Sequence, residues 1–350
     1  MKSYKVVEFG KPLQRIEEPT PTPTGGEVLV RVTAAGVCHS DVHLWEGYFD
    51  MGGGNKVSTQ KTMNPPRTMG HEIVGVVAAV GPDARGAKVG QKAVVYPWIG
   101  CGKCWHCKGG IEHLCPTPRA LGVNNDGGYA DHVLVPDAKY LYAYGELPDS
   151  LACLYACSGI TAFGAVKKAV GQDGGKPILV IGAGGVGLMG VKFAKAVLGR
   201  EPIVADIDPA KRKLALENGA CAAFDPREPD ARKKVQELTG GTGVGAAIDF
   251  VGAESSAQFG IKALGRGGRL IIVGLFGGTF TLPLPMFAFT GCQIVGSVTG
   301  SPAEMKEMMD LVVAGKVTPV PILERKLDDA DAALQDLRKG LIMGRAVLVP

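Results

Sequence analysis

At 350 residues the chain exceeds one ordinary core and suits two domains. Apolar residues make up 46% and charged residues 21%, which excludes a disordered chain. The net charge of +4 comes from Lys and Arg interspersed with acids, as in DPAKRKLALEN, so there is no basic stripe and no nucleic-acid partner is expected.

The N-terminal MKSYKVVEFGKPLQRIEEP lacks the continuous apolar core of a signal peptide, and no apolar run is long enough to span a bilayer. The expectation is a cytoplasmic protein with reduced thiols and no membrane partner. Residues 1–150 read as β-rich: EVLVRVTAAGV, EIVGVVAAVG, QKAVVYPW and ADHVLVP alternate or are β-branched, with Gly and Pro between them. Within this region DMGGGNKVSTQKTMNPPR, residues 50–67, reads as a surface loop. From about residue 176 the texture changes. PILVIGAGG is a continuous apolar run ending in glycines, and VGLMGVKFAKAV repeats at helical spacing. Strand-like PIVADI, CAAF, GAAIDFVG and GRLIIVG then alternate with helix-like PAKRKLALEN, DARKKVQELT and SSAQFGIKAL. That alternation predicts a doubly wound parallel sheet in an α/β chain. The end, GRAVLVP, is strand-like again.

CGKCWHCKGGIEHLC sets Cys101, Cys104, Cys107 and Cys115 at Cys-x2-Cys-x2-Cys-x7-Cys spacing. Two-residue gaps let successive thiolates turn to one centre, and a fourth closes a tetrahedron that suits zinc. An iron–sulfur cluster shares the spacing, but no second cluster motif or flavin signature accompanies it. Four protein ligands leave no open position, so this site is structural, with His106 and His113 as bystanders.

VIGAGGVG supplies Gly182, Gly184 and Gly187 in G-x-G-x-x-G order, with Gly185 and Val186 opening the helix whose free N–H groups suit a pyrophosphate. A strand precedes the motif, and Asp206 ends the next strand nineteen residues after Gly187. Asp206 would accept from the adenine ribose and repel a 2′-phosphate, so NAD is expected over NADP. Lys211 could reach the same ribose, Asp208 reads as a helix cap before Pro209, and Arg212 as a solvated helix face that could also soften the selectivity for NAD. Cys38, His71 and Cys157 can form a Cys, His, Cys zinc set with the fourth position free, and Asp41 and Glu72 stand ready to orient a ligating imidazole.

GVCHSDVHLWEG, GHEIVGVVAAVG, GCGKCWHCKGGIEHLC, CSGIT, GAGGVG and GRAVLV occur in an order and spacing that resemble the zinc-dependent alcohol dehydrogenases of the medium-chain dehydrogenase/reductase superfamily. The resemblance covers nearly the whole chain. It implies a GroES-like β-rich catalytic domain over 1–150, a Rossmann NAD-binding domain over 151–295 and a C-terminal return to the catalytic domain over 296–350. It implies two zinc ions per chain, with Cys38, His71 and Cys157 holding the catalytic one; Cys157 is favoured over Cys153 because SGIT follows it. Ser40 would hydrogen-bond the alcohol, and His43 would pass its proton on through the cofactor ribose. His39 and Arg345 would meet the pyrophosphate, and Val273, Leu275 and Ser297 the nicotinamide. Trp45 and Trp98 match positions that line the substrate pocket, though both suit a core equally.

The same resemblance implies a small alcohol or aldehyde as substrate and a homo-oligomer, a tetramer before a dimer. Two departures stand out: residues 50–67 lengthen the chain before His71, and Ser40 replaces the threonine of relatives restricted to small alcohols, which makes room for bulkier or secondary ones. A polyol dehydrogenase of the same fold would usually carry Glu where Cys157 stands. A non-catalytic NAD- and zinc-binding scaffold would leave Cys38, His71, Cys157, Ser40 and His43 without a purpose.

Overall fold

The valine-rich alternation near the N-terminus forms the ten-residue strand Val28–Val37, the centre of a seven-stranded sheet. The structure is a computed structural model describing residues 1–171 and 175–350. Val28–Val37 pairs antiparallel with Glu72–Val80, His132–Val135 and Arg345–Val349. Two register shifts interrupt its pairing with Glu72–Val80. Such bulges increase the local twist and bend the sheet. The register opposes Gly36 to Glu72 and Val37 to Ala346. Cys38, His71 and Arg345 therefore share one end of three adjacent strands, although the sequence spreads them widely.

The chain divides into two units: Met1–Tyr48, Ser58–Ile160 and Gly300–Pro350 form the first, and Phe49–Val57 with Thr161–Thr299 the second. These bounds differ from the expected 150/151 and 295/296 divisions. The reason at the first is burial: Leu151 to Cys157 are all buried, and Ser158 N–H donates to Glu72 Oε1 at 2.9 Å, which ties this segment to the antiparallel sheet.

Residues 50–67 are also not the loop expected. Tyr48–Gly52 and Asn55–Ser58 form a hairpin, and Gln60–Met63 a helical turn. Gly52, Gly53 and Gly54 all take positive φ and reverse the chain at no steric cost. The hairpin belongs to the second unit because a Cβ on Gly277 would stand 2.5 Å from Asp50 O, so the two backbones meet directly.

The second unit carries a six-stranded parallel sheet of Leu179–Ile181, Ile203–Ala205, Ala222–Phe224, Val244–Asp249, Leu264–Ile272 and Gln293–Gly296, taken in chain order. Their spatial order is third, second, first, fourth, fifth, sixth. This is the doubly wound order that reverses beside the first strand. Leu179–Ile181, Ile203–Ala205 and Val244–Asp249 are buried throughout, as expected where helices cover both faces. Each fully buried Leu, Ile or Val side chain here contributes about 1.5–3 kcal/mol. The helix Gly185–Leu198 buries Leu188, Met189, Val191, Phe193 and Ala194 and ends at Gly199 in the left-handed region.

Candidate active site

Cys38 leaves its strand in extended geometry and opens the helix His39–Glu46. Asp41, three residues on, turns back so that its Oδ2 accepts from Cys38 N–H at 3.0 Å and from Tyr129 Oη at 2.9 Å. Its Oδ1 lies 3.0 Å from His71 Nδ1, and Asp41 and His71 are both fully buried. With Nδ1 directed at a carboxylate, the lone pair of the imidazole belongs to Nε2. Both ring nitrogens of His71 and Asp41 Oδ1 are buried without an aligned hydrogen bond; with Nδ1 facing the carboxylate, Nε2 is the orphan that a metal bond would satisfy.

Cys157 ends the 3-10 turn Cys153–Ala156, and the ligand atoms of Cys38, His71 and Cys157 all lie within 4.8 Å of one another. Two thiols and one imidazole nitrogen form a zinc donor set one short of a tetrahedron. Cys153 is buried but outside this group, its Sγ directed to Ser150 O at 3.4 Å.

The hydrogen bond from Cys157 draws the Cys38 thiol well below its usual range, helped by His71, and the same bond followed by burial pushes Cys157 up. A cation bound between them would favour both as thiolates and release protons. Burial disfavours charge on His71, yet Asp41 and Cys38 together hold its pKa well above the usual value.

Arg345, expected at a pyrophosphate, is 4% exposed, with its guanidinium on Glu72 Oε2. The strand register places it there, at the same sheet end as Cys38. Glu72 is thus held by Arg345 on one oxygen and by Ser158 N–H on the other, which fixes the chain beside Cys157.

Ser40 and His43 stand three apart on one helix, on neighbouring surface positions, and both are half-buried. Burial and then the charge of His39 lower the pKa of His43; the two rings meet edge-on at 5.3 Å. Trp98 borders the metal set, with its ring 5.3 Å from His71 and its Nε1 donating to Ala156 O at 3.0 Å. Trp45 takes the core alternative: its Nε1 donates to Lys11 O at 2.6 Å, and Arg338 covers its ring at 5.3 Å.

The four-cysteine loop gathers as its spacing predicts. The sulfurs of Cys101, Cys104, Cys107 and Cys115 lie within 4.8 Å of one another, with Cys104 3.4 Å from Cys107 and 3.8 Å from Cys115. All nine cysteines are free, so these separations are not disulfides, and four sulfur donors at this spacing fit zinc. The N–H of Lys103 holds Cys101 down at about 5, ready to ligate as thiolate. His106 stacks on Trp105 and lies outside the sulfur set. Glu112 accepts from Gly100 N–H at 3.2 Å and Tyr140 Oη at 2.7 Å, which anchors the loop at its entrance. Neither Glu112 nor Tyr129 announces this role in the sequence; each bonds to groups distant along the chain.

At the glycine turn, Gly182 has φ 86° and a Cβ there would stand 2.6 Å from Val251 Cγ2. A Cβ on Gly187 would collide with Gly182 O, whereas one on Gly184 meets nothing within 4 Å. Gly184 thus opens a cradle at the helix start, where Gly185, Val186 and Gly187 bear the N–H groups that lack intrahelical acceptors. Asp206 Oδ2 accepts from Ala183 N–H at 2.7 Å, joining the acid to the turn. Asp208 caps Pro209–Glu217, which sets Lys211 in the first turn. Arg212 is not a solvated face: its Nη1 donates to Asp206 O at 2.8 Å. Val273 and Ser297 follow paired strand ends, Ile272 opposite Gly296; Val273 N–H donates to Asp249 O and Lys168 Nζ to Ser297 Oγ, while Leu275 is exposed. The cradle, its glycines and Asp206 fit a dinucleotide.

Two family models match the chain: "alcohol dehydrogenase GroES-like domain" over residues 24–146 and "zinc-binding dehydrogenase" over 185–314. The chain is 39% identical to an NAD-dependent alcohol dehydrogenase of Saccharolobus solfataricus and 38% identical to one of Sulfurisphaera tokodaii, covering 100% of each pair. The crystal structure of the alcohol dehydrogenase from Aeropyrum pernix superposes with a TM-score of 0.89 at 33% identity, covering 100% of both chains.

Proposed function

The chain belongs to the zinc-dependent alcohol dehydrogenases of the medium-chain dehydrogenase/reductase superfamily, and we propose that Cys38, His71 and Cys157 hold its catalytic zinc while Ser40 and His43 carry the proton. Its reaction is the reversible oxidation of an alcohol to an aldehyde or ketone with NAD as acceptor. Zinc supplies Lewis acidity and NAD takes the electron pair; the protein supplies position and proton transfer.

The observation that carries the reading is the orphaned His71 Nε2 among two thiols, with Asp41 behind the ring. Asp41 holds the imidazole in its ligating tautomer, and Cys38 N–H and Tyr129 Oη hold Asp41. Glu72 and Arg345 neutralise one another beneath the thiols, which limits the burial cost of either charge. Ser40 lies in the first turn of the same helix and passes the proton towards His43 by way of the cofactor ribose. The His43 pKa lies below the ordinary imidazole value, so at neutral pH the ring is uncharged and basic. Cys101, Cys104, Cys107 and Cys115 hold the second, structural zinc. Ser40, one methyl smaller than threonine, supports activity on secondary and bulkier primary alcohols.

The family supports a homo-oligomer, a tetramer before a dimer, which sedimentation would read directly. Nine free cysteines support a reducing compartment, the cytoplasm. Among the described residues no single helix is long and apolar enough to cross a membrane.

The test joins metal analysis to an NADH absorbance assay across primary, benzylic and secondary alcohols. The parent protein is expected to hold about two zinc per chain and Cys157→Ala about one, with turnover lost and NADH binding kept. Turnover retained by Cys157→Ala would overturn the ligand assignment, and a parent inactive on every secondary alcohol would overturn the role given to Ser40.

A further inference from the structure

Two neighbouring parallel strands each end in a carboxylate: Asp206 follows Ile203–Ala205, Asp225 follows Ala222–Phe224, and Asp206 N–H donates to Phe224 O at 3.1 Å. Both oxygens of Asp206 already accept a main-chain N–H, from Ala183 at 2.7 Å and Asp208 at 2.8 Å. Two arginines crowd the same corner. Arg212 Nη1 donates to the carbonyl of Asp206 itself and lies 3.5 Å from Asp225 Oδ2. Arg227 clasps Asp225 with both forks, Nε on Oδ1 at 3.0 Å and Nη2 on Oδ2 at 2.6 Å. Nη2 also donates to Ile207 O at 3.3 Å, and Arg227 N–H donates to Asp225 Oδ1 at 2.9 Å. Both guanidiniums therefore lie within a hydrogen bond of the backbone at Asp206 or the residue after it.

Guanidiniums at the rim of an adenosine site are what a 2′-phosphate recognises, through forked, charge-assisted hydrogen bonds. Asp206 alone does not secure a preference for NAD in this corner. We propose that Asp225 is a specificity-determining residue: it latches Arg212 and Arg227 and so withholds both from a 2′-phosphate beside Asp206. The four side chains sum to zero charge, and removing the charge of Asp225 leaves one positive charge uncompensated. Asp208 and Lys211, at the start of the adjoining helix, cancel one another. The latch is built from the sheltered side, with the Asp225 side chain 12% exposed and that of Arg227 67% exposed. Arg227 can thus swing to solvent or ligand once released. This is more than an exposed ion pair, which by itself contributes little.

The inference rests on the reading of the glycine turn and Asp206 as the NAD site. Its test is equilibrium binding of NADH and of NADPH, without alcohol, to the zinc-loaded protein, read by calorimetry or cofactor fluorescence. In Asp225→Asn the NADPH:NADH ratio of dissociation constants is expected to fall by about tenfold or more through tighter NADPH, the size of one charge-assisted hydrogen bond. In Arg227→Ala, where an exposed side chain is lost and Asp225 is bared, NADPH is expected to weaken and the ratio to rise. Asp225→Asn that binds NADH like the parent with an unchanged ratio overturns the latch. If that variant does not fold, a ratio unmoved by Arg227→Ala overturns it. A parent that binds neither dinucleotide overturns the NAD-site reading instead.

Discussion

Asp41 shows how one side chain can decide the state of a metal ligand it does not itself replace. Its carboxylate sits between a backbone N–H, a tyrosine hydroxyl and the ring of His71, all buried. Asp41→Asn keeps the shape but removes the charge that fixes the imidazole. It is expected to weaken zinc at the catalytic site by about ten- to a hundredfold. Competition with a chromogenic chelator reads this, with the Cys101–Cys115 site as internal control; equal loss from both sites would mean general destabilisation. Asp41 was legible because a carboxylate three residues from a candidate ligand is a local pattern. Tyr129 was not, since it reaches Asp41 from 88 residues away and nothing beside it marks the contact.

For elements, steric closeness separates glycines that build the cofactor turn from the one that leaves it open. A Cβ on Gly187 collides with Gly182 O, so Gly187→Ala is expected to cost roughly 1–3 kcal/mol of stability, as overpacking does. Gly184 has open space, so Gly184→Ala should change stability by less than about 0.5 kcal/mol. Its methyl enters the cradle, however, and should weaken NADH about tenfold or more. Thermal unfolding and NADH titration on the two variants separate these effects; a Gly184→Ala protein binding NADH as the parent does would place the pyrophosphate elsewhere. The strand, turn and helix here were legible because the pattern is continuous in the chain. The hairpin at Tyr48–Ser58 was not. Three successive glycines read as a loop, and only its packing against Gly277 and Gly278 makes it an ordered part of the parallel-sheet unit.

The whole molecule's response to acid follows from its carboxylates. The forked bond from Arg227 brings Asp225 down to about 2, Lys2 and Tyr4 lower Asp328, and Asp131, despite burial, is lowered by Lys2 N–H and His132. Each binds a proton less readily folded than unfolded. Their stabilisation is therefore present above the ordinary carboxylate range, roughly pH 4, and is lost as pH falls below it, for Asp225 towards about 2. Asp249 and Glu72 work the other way, because burial raises their pKa. With three lowered groups against two raised ones, the melting temperature should fall between pH 5 and pH 3, and Asp225→Asn should show a shallower fall. Circular dichroism melts read both; an Asp225→Asn slope equal to the parent's would remove Asp225 from the account.

By itself the sequence determined the α/β class, the glycine turn with its acid, and the four-cysteine site, because each is written in residues close enough in the chain to share one strand, turn or loop. It determined the candidates Cys38, His71 and Cys157 as types of ligand. That they meet was decided by tertiary structure: the register of Val28–Val37 against Glu72–Val80 brings the first two to one sheet end, and burial of Leu151 to Cys157 delivers the third. The same register gave Arg345 the partner Glu72, which no local pattern announces, and the adjacency of two strand ends turned Arg212 from a solvated face into half of a latch. Side-chain type sets what a residue can do; which partner it meets depends on strand register and burial, and these are properties of the whole packed chain.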